Sequence, residues 1–296
     1  MRVLVTGAGG QVGQELQRVG WPEGTQVAAY THFEFDIADG GAVAKMIARP
    51  LDVVINAAAY TAVDRAESDR EGAARINAEG PGLLAQRCSA EGIPLIHLST
   101  DYVFDGTKQS PYVEDDATSP LNHYGATKLE GEKAVRRGLR QHFILRTASV
   151  FSEFGANFVK TVLRLGAEHG SLQIVSDQTS SPTAASDIAE AIMHIADELV
   201  HRGRPELWGT YHFCGQPAVT WKEFAQAIFE TASRFGRPAP ELLPIRAEQY
   251  PAAAKRPMYS AMDCRRIQQM VGIQAPSWAG RLPIVISALL GQKGAV

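Results

Sequence analysis

The stretch Thr6-Gly7-Ala8-Gly9-Gly10-Gln11-Val12-Gly13 closes an apolar run, Arg2–Thr6, and opens a helical pattern over Gln11–Val19. Its glycines fall as GxxGxxG, offset from the GxGxxG spacing of the standard dinucleotide fingerprint. Gly7 permits a tight turn, Gly10 lets the backbone approach a pyrophosphate, and Gly13 lets helix and strand pack closely. The free N–H groups and dipole at a helix start attract the anion. The bland alternative is a glycine-rich turn without a ligand. A position directly after the first strand favours the dinucleotide reading.

The pattern repeats outward from this turn. Candidate strands Gln26–Tyr30, Asp52–Asn56, Pro94–Ser99 and Phe143–Thr147 alternate with helical segments Gly41–Ile47, Glu71–Ala90 and Asn122–Val135. The strands show little polar alternation, as parallel strands covered on both faces should. Such units specify an α/β Rossmann-type, doubly wound parallel sheet. Residues 1–150, with about 171–200, form the expected NAD(P)-binding domain. Leu172–Val175 and the helix Ala185–Asp197 are expected to continue it. Residues of about 151–170 and 201–296, punctuated by five prolines from Pro238 to Pro257, form a smaller substrate-binding lobe.

The 296 residues carry 29 Lys+Arg against 32 Asp+Glu, a net charge of −3, which leaves no footprint for nucleic acid or an anionic membrane. Cys88, Cys214 and Cys264 are widely spaced, so a reducing compartment is expected rather than a disulfide framework. No apolar run is long enough to span a bilayer. Together these predict a soluble, cytoplasmic protein.

Strand two ends Ala29-Tyr30-Thr31-His32 without the carboxylate that usually binds the adenosine ribose of NAD. NADPH is therefore permitted, NADH remains possible, and no Arg stands nearby to clamp a 2′-phosphate. Asp36 is expected either at the adenine edge or as a solvated loop acid. Tyr124 and Lys128, four apart, share one helix face, and an ammonium beside a phenol favours the phenolate. Thr100, with Ser99 at the end of strand four, lies where ligands sit in open α/β sheets. Thr100 is expected to hydrogen-bond the carbonyl oxygen that Tyr124 protonates. Glycine turn and Ser/Thr–Tyr–Lys set together resemble the short-chain dehydrogenases, whose extended branch carries TGxxGxxG.

Longer pieces narrow the resemblance. Asn56-Ala57-Ala58-Ala59-Tyr60-Thr61-Ala62-Val63-Asp64, Ser99-Thr100-Asp101-Tyr102-Val103-Phe104-Asp105-Gly106 and Asn157-Phe158-Val159-Lys160-Thr161 are similar to the dTDP-4-dehydrorhamnose reductases. So are Asp177-Gln178 with Pro182-Thr183, Gly209-Thr210-Tyr211-His212-Phe213 and Arg256-Pro257. The resemblance implies NADPH-dependent reduction of the C4 ketone of a dTDP-sugar, the last step in making a donor for rhamnose-containing polysaccharides. It implies Gly10, Gln11, Val12, Asp36, Ile37, Ala59, Tyr60 and Thr61 around the cofactor. Thr100, Tyr124 and Lys128 would be catalytic, with Thr100 and Asp101 facing the sugar. Ser149 stands where the family often has a tryptophan, removing stacking area at the substrate. Family magnesium ligands are matched by Glu15, but Ser186 replaces a second and no Glu follows Glu248, so no metal is expected. A monomer or homodimer fits.

Dehydratases of the superfamily pair Asp with Glu beside the threonine, whereas Asp101 is followed by Tyr102. An epimerase, or a non-catalytic subunit that kept the fold, stays as the rival reading. Eight histidines show no HxxxH or HExxH spacing for a metal. The acids Glu114, Asp115 and Asp116 fit a solvated loop better than a paired-carboxylate site. Arg256 suits a diphosphate, with a surface ion pair as its alternative. Trp208, Trp221 and Trp278 are expected to pack the lobes.

Overall fold

The computed structural model describes residues 1–48 and 50–291. Among these, β1 (Arg2–Thr6), β2 (Gln26–Tyr30), β3 (Val53–Asn56), β4 (Leu95–Thr100) and β5 (His142–Thr147) join the strand Gly209–His212 in one parallel sheet. The spatial order runs from Gly209–His212 through β5, β4, β3 and β1 to β2. The chain moves outward from β1 to β2, then returns to β3 on the other side of β1. The carboxyl ends of β1 and β3 therefore flank the switch point at which open α/β sheets bind ligands.

Both sheet faces are covered, which is why the strand interiors carry no polar alternation. Val3, Val5, Ile55, Ile96 and Phe143 pack in a cluster with the helix Ala185–Val200. Leu4, Val54, Leu95 and Ile144 pack in another with helices Gly80–Glu91 and His123–Gly138. The β1 turn requires its glycines. Gly7 has φ +74°, and a Cβ there would lie 2.5 Å from the Ala58 nitrogen. A Cβ on Gly13 would lie 2.1 Å from the Gly7 carbonyl oxygen, so any side chain would push the first helix, Gln11–Leu16, off the strand.

Two elements exchange places relative to the sequence reading. Ser171–Val175 does not continue the central sheet; it pairs in parallel with Glu241–Ile245 in the second lobe. Gly209–His212, expected in that lobe, is instead the edge strand beside β5. The physical reason is burial. Ser171–Val175 alternates exposed and buried positions and suits a one-sided ribbon. Tyr211, by contrast, stacks on Phe143 of β5 with ring centroids 4.3 Å apart. The lobe core gathers Phe151, Val159, Phe224, Ile228, Trp278 and Leu282. The terminal residues 292–296 assigned to that lobe lie outside the described residues.

The expected helix Glu71–Ala90 runs as Arg70–Ala74, a single wide π turn Arg75–Glu79, and Gly80–Glu91. Cys88, Cys214 and Cys264 are buried free thiols. Among the described residues no helix is long and apolar enough to cross a membrane.

Candidate active site

β4 delivers Thr100 to the carboxyl edge of the sheet, and the helix His123–Gly138 delivers Tyr124 and Lys128 to the same place. Asn122 caps that helix, accepting from the Gly125 N–H at 2.8 Å and donating to the Lys255 carbonyl of the second lobe at 2.7 Å. Thr100 Oγ1 accepts from the Tyr102 N–H at 3.2 Å and donates to Asp101 Oδ1 at 3.0 Å. It also reaches the Tyr124 phenol. Asp101 is 2% exposed, and its Oδ2 has no hydrogen-bond partner among the described residues. Burial pushes its carboxyl up to about 6, against the pull of the Ser260 and Thr100 hydroxyls.

These contacts correct two expectations. Burial pushes the Tyr124 phenol up to about 12; the Thr100 hydroxyl favours the phenolate, and the Asp101 charge opposes it. Lys128 does not draw the phenol toward working pH, because its ammonium donates to the Leu98 carbonyl at 2.7 Å. Burial brings Lys128 itself down to about 8, with Glu132 acting to raise it. At neutral pH the site therefore holds a protonated phenol beside a mostly charged ammonium. The Thr100 proton is committed to ionised Asp101, so Tyr124 rather than Thr100 is the free donor.

A cleft of about 390 Å³ opens past the carboxyl ends of β1 and β3, lined in part by Gly7, Gly10, Asp36, Ile37, Ala59 and Tyr60 and by none of Thr100, Tyr124 and Lys128. Thr61 is not among its lining residues. Val12 turns its side chain into the core, so only its backbone faces outward. Gln11 turns toward the second lobe: its Oε1 accepts from Asn157 Nδ2 at 2.9 Å and from Ser152 Oγ at 3.1 Å. No side chain caps the helix that starts at Gln11, so its first N–H groups stay open to an anion. These features and the Gly7 cradle fit a dinucleotide.

Several residues at or behind this cleft escaped the sequence reading. Arg75, from the π turn, ion-pairs with Asp36. Burial works against the Asp36 charge, but the Ala38 N–H and Arg75 hold its carboxyl below the usual range. Strand two also gains an acid through folding. Glu34 turns back so that its Oε2 accepts from the Thr31 N–H at 2.9 Å and Oγ1 at 2.8 Å. His32 and Phe33 complete the lip. Asn77, buried in the π turn, clips the cofactor loop. Its Oδ1 accepts from the Tyr60 N–H at 2.9 Å, and its Nδ2 donates to the Tyr60 carbonyl at 3.1 Å and to Thr127 Oγ1 at 3.2 Å. The only sequence signal was a polar residue on the inner face of an apolar helix. Asn77→Ala removes all three bonds, and losing the two to Tyr60 should weaken NADPH binding by about tenfold, measurable by quenching of intrinsic fluorescence. Unchanged affinity in folded protein would mean that the loop holds its shape without Asn77.

Ser149 is the one non-glycine residue with positive φ among the described residues, at 45°. Its hydroxyl is tied to Ser180 Oγ at 2.6 Å. Arg256 forms an ion pair with Asp64, Nη2 to Oδ2 at 2.7 Å, and reaches the Tyr102 phenol. It thus latches the second lobe onto the loop after β3. A larger groove of about 550 Å³ on the second lobe, lined in part by Lys160, Arg164 and Arg237, contains none of the expected site residues. Near Glu15, which matches one of the family's metal ligands, Arg281 pairs with Asp187 and Glu190. Among the described residues no three His, Cys, Asp or Glu side chains gather for a metal.

The family model for the RmlD substrate binding domain matches residues 1–290. A dTDP-4-dehydrorhamnose reductase from Sinorhizobium fredii is 39% identical over 292 residues, covering 98% of both chains. The chain belongs to the dTDP-4-dehydrorhamnose reductase family. The Escherichia coli member is 39% identical over 285 residues, 94% of each chain. Among solved structures, the reductase from Clostridium acetobutylicum superposes with TM-score 0.90 at 36% identity, covering 98% of this chain and 99% of that one. The reductase from Bacillus anthracis, solved in complex with NADP, gives 0.88 at 36% identity, covering 97% and 99%.

Proposed function

We propose that this chain reduces the C4 ketone of dTDP-4-dehydro-6-deoxy-L-mannose to dTDP-L-rhamnose in the cytoplasm, using NADPH and accepting NADH. The observation that carries this reading is the half-buried, protonated Tyr124 one helical turn from Lys128, at the same sheet edge as a cleft that fits a dinucleotide. When bound, the nicotinamide cofactor supplies the hydride. Tyr124 donates its phenolic proton to the oxygen developing at C4, and the Lys128 ammonium would hold the nicotinamide ribose hydroxyls. Thr100 Oγ1 lies against the phenol and orients it. Asp101, with an unpartnered Oδ2, accepts a sugar hydroxyl. Ser149 and Arg256 border the substrate on the second-lobe side, Arg256 offering the diphosphate a guanidinium already oriented by Asp64. Gly7, Gly10, Gln11, Val12, Asp36, Ile37, Ala59, Tyr60 and Thr61, with Tyr124 and Lys128, serve the cofactor.

The test is the loss of reduced-nicotinamide absorbance with enzymatically generated dTDP-4-dehydrorhamnose, run with NADPH and with NADH. Net oxidation supports the reductase, and the rate ratio gives the cofactor preference. Interconversion of a sugar nucleotide without net oxidation would instead make the chain an epimerase.

A further inference from the structure

Beneath the catalytic helix lies an ion pair that the reaction scheme does not use. Glu132 sits one turn beyond Lys128 on the same helix and is fully buried, as is nearly all of Arg146 on β5. Arg146 binds it in a fork, Nε to Oε1 at 2.8 Å and Nη2 to Oε2 at 2.7 Å. Ser99, the neighbour of Thr100 on β4, donates to Glu132 Oε1 at 2.6 Å. Arg136, a turn further along the helix, adds Nη2 to Oε2 at 3.1 Å. The strand that supplies Thr100, the helix that supplies Tyr124 and Lys128, and β5 thus meet on one carboxylate.

We propose that Glu132 is a positioning residue for the reaction: clamped by Arg146 and Ser99, it provides the buried negative charge that keeps the Lys128 ammonium protonated in its dry site. A buried ammonium is costly unless an opposite charge compensates it. Burial also works against Glu132, but Arg146, Ser99 and Arg136 overcome it and hold the carboxyl below its usual range. The other groups facing this cluster are neutral. His212, on the edge strand, contacts Arg146 Nη1 at 3.3 Å and is pushed down to about 3 by burial and the arginine charge. His97 on β4 is held well below its ordinary value by burial, with Lys128 next. The remaining charges are the cations Arg146 and Arg136, so Glu132 is the one anion available to Lys128 in this cluster among the described residues.

The inference rests on the reductase reading for its kinetic arm alone. The primary measurement is the titration of Lys128 by NMR in protein carrying 13Cε-labelled lysine, assigned with Lys128→Arg, and it needs no substrate. In Glu132→Gln the Lys128 midpoint should fall from about 8 by about one unit, a tenfold loss of proton affinity. Turnover should then drop about fivefold at pH 8 and stay near the wild-type value at pH 6. A purely structural role would lower turnover by the same factor at every pH. The double variant Glu132→Leu/Arg146→Leu replaces the pair with apolar bulk, a change that folded proteins tolerate. It should also leave Lys128 with a lowered midpoint, and it decides the question if the single variant does not fold. An unchanged Lys128 midpoint in either folded variant overturns the proposal. If wild-type protein shows the titration but no turnover, the reductase reading fails while this one stands.

Discussion

Tyr124→Phe should lose about 10²- to 10⁴-fold in turnover, the range supplied by a positioned general acid, while NADPH affinity stays within about twofold. The phenol sits at the end of β4 against Thr100, and its edge-to-face contact with Tyr102, centroids 5.8 Å apart, depends on the ring rather than the hydroxyl. Phenylalanine keeps that packing and removes only the donor. Because burial holds the phenol up at about 12, wild-type Tyr124 remains protonated across the neutral range. The basic limb of the turnover profile should therefore come from Lys128 near pH 8, not from the tyrosine. Stopped-flow hydride transfer and equilibrium NADPH titration check both halves. A matching loss of NADPH binding would assign the hydroxyl to cofactor binding instead of proton transfer.

Asp101→Asn should make the protein more stable and less active. The folded-state carboxyl is raised from its ordinary 3.8 to about 6, so between those values the native state binds more protons than the unfolded chain. Stability from this group is full below about pH 4 and is lost as pH rises through about 6. At pH 7 the ionised, half-satisfied carboxylate costs on the order of 2–3 kcal/mol at most. Asparagine removes the charge while keeping an oxygen to accept from Thr100. Urea denaturation should show a gain of about 1–3 kcal/mol at pH 7 that vanishes near pH 4. Activity should move the other way, kcat/KM falling about tenfold or more with the loss of a charged hydrogen-bond acceptor for the sugar. A variant no more stable than wild type at pH 7 would show that water or a counter-charge satisfies Asp101. The pairing of lower stability with higher activity is what a preorganised polar site requires.

Much of the architecture was legible from local pattern. Unbroken apolar runs could be satisfied only by strands covered on both faces, and GxxGxxG after the first of them located the cleft. The two exchanged strands were not legible, because Ser171–Val175 and Gly209–His212 are short and neither names its partner. Which strand completes the sheet was decided by Tyr211 finding Phe143. That Tyr124 and Lys128 share one face could be read from spacing, since helix geometry alone puts them there. Their protonation could not, because it depends on how much water each group loses and which charges lie opposite.

The sequence by itself determined the doubly wound sheet, the glycine turn and the placing of Tyr124 and Lys128 on one helix face. These follow from strand and helix periods and from backbone sterics, which act over a few residues. Only the tertiary structure decided that Glu34 returns to the end of β2, that Arg75 neutralises Asp36, that Asn77 clips the Tyr60 loop and that Glu132 lies buried under Lys128. Each rests on a side chain meeting a group on another element or across a turn, and its energy is set by burial and by the partner's charge. No local pattern encodes either.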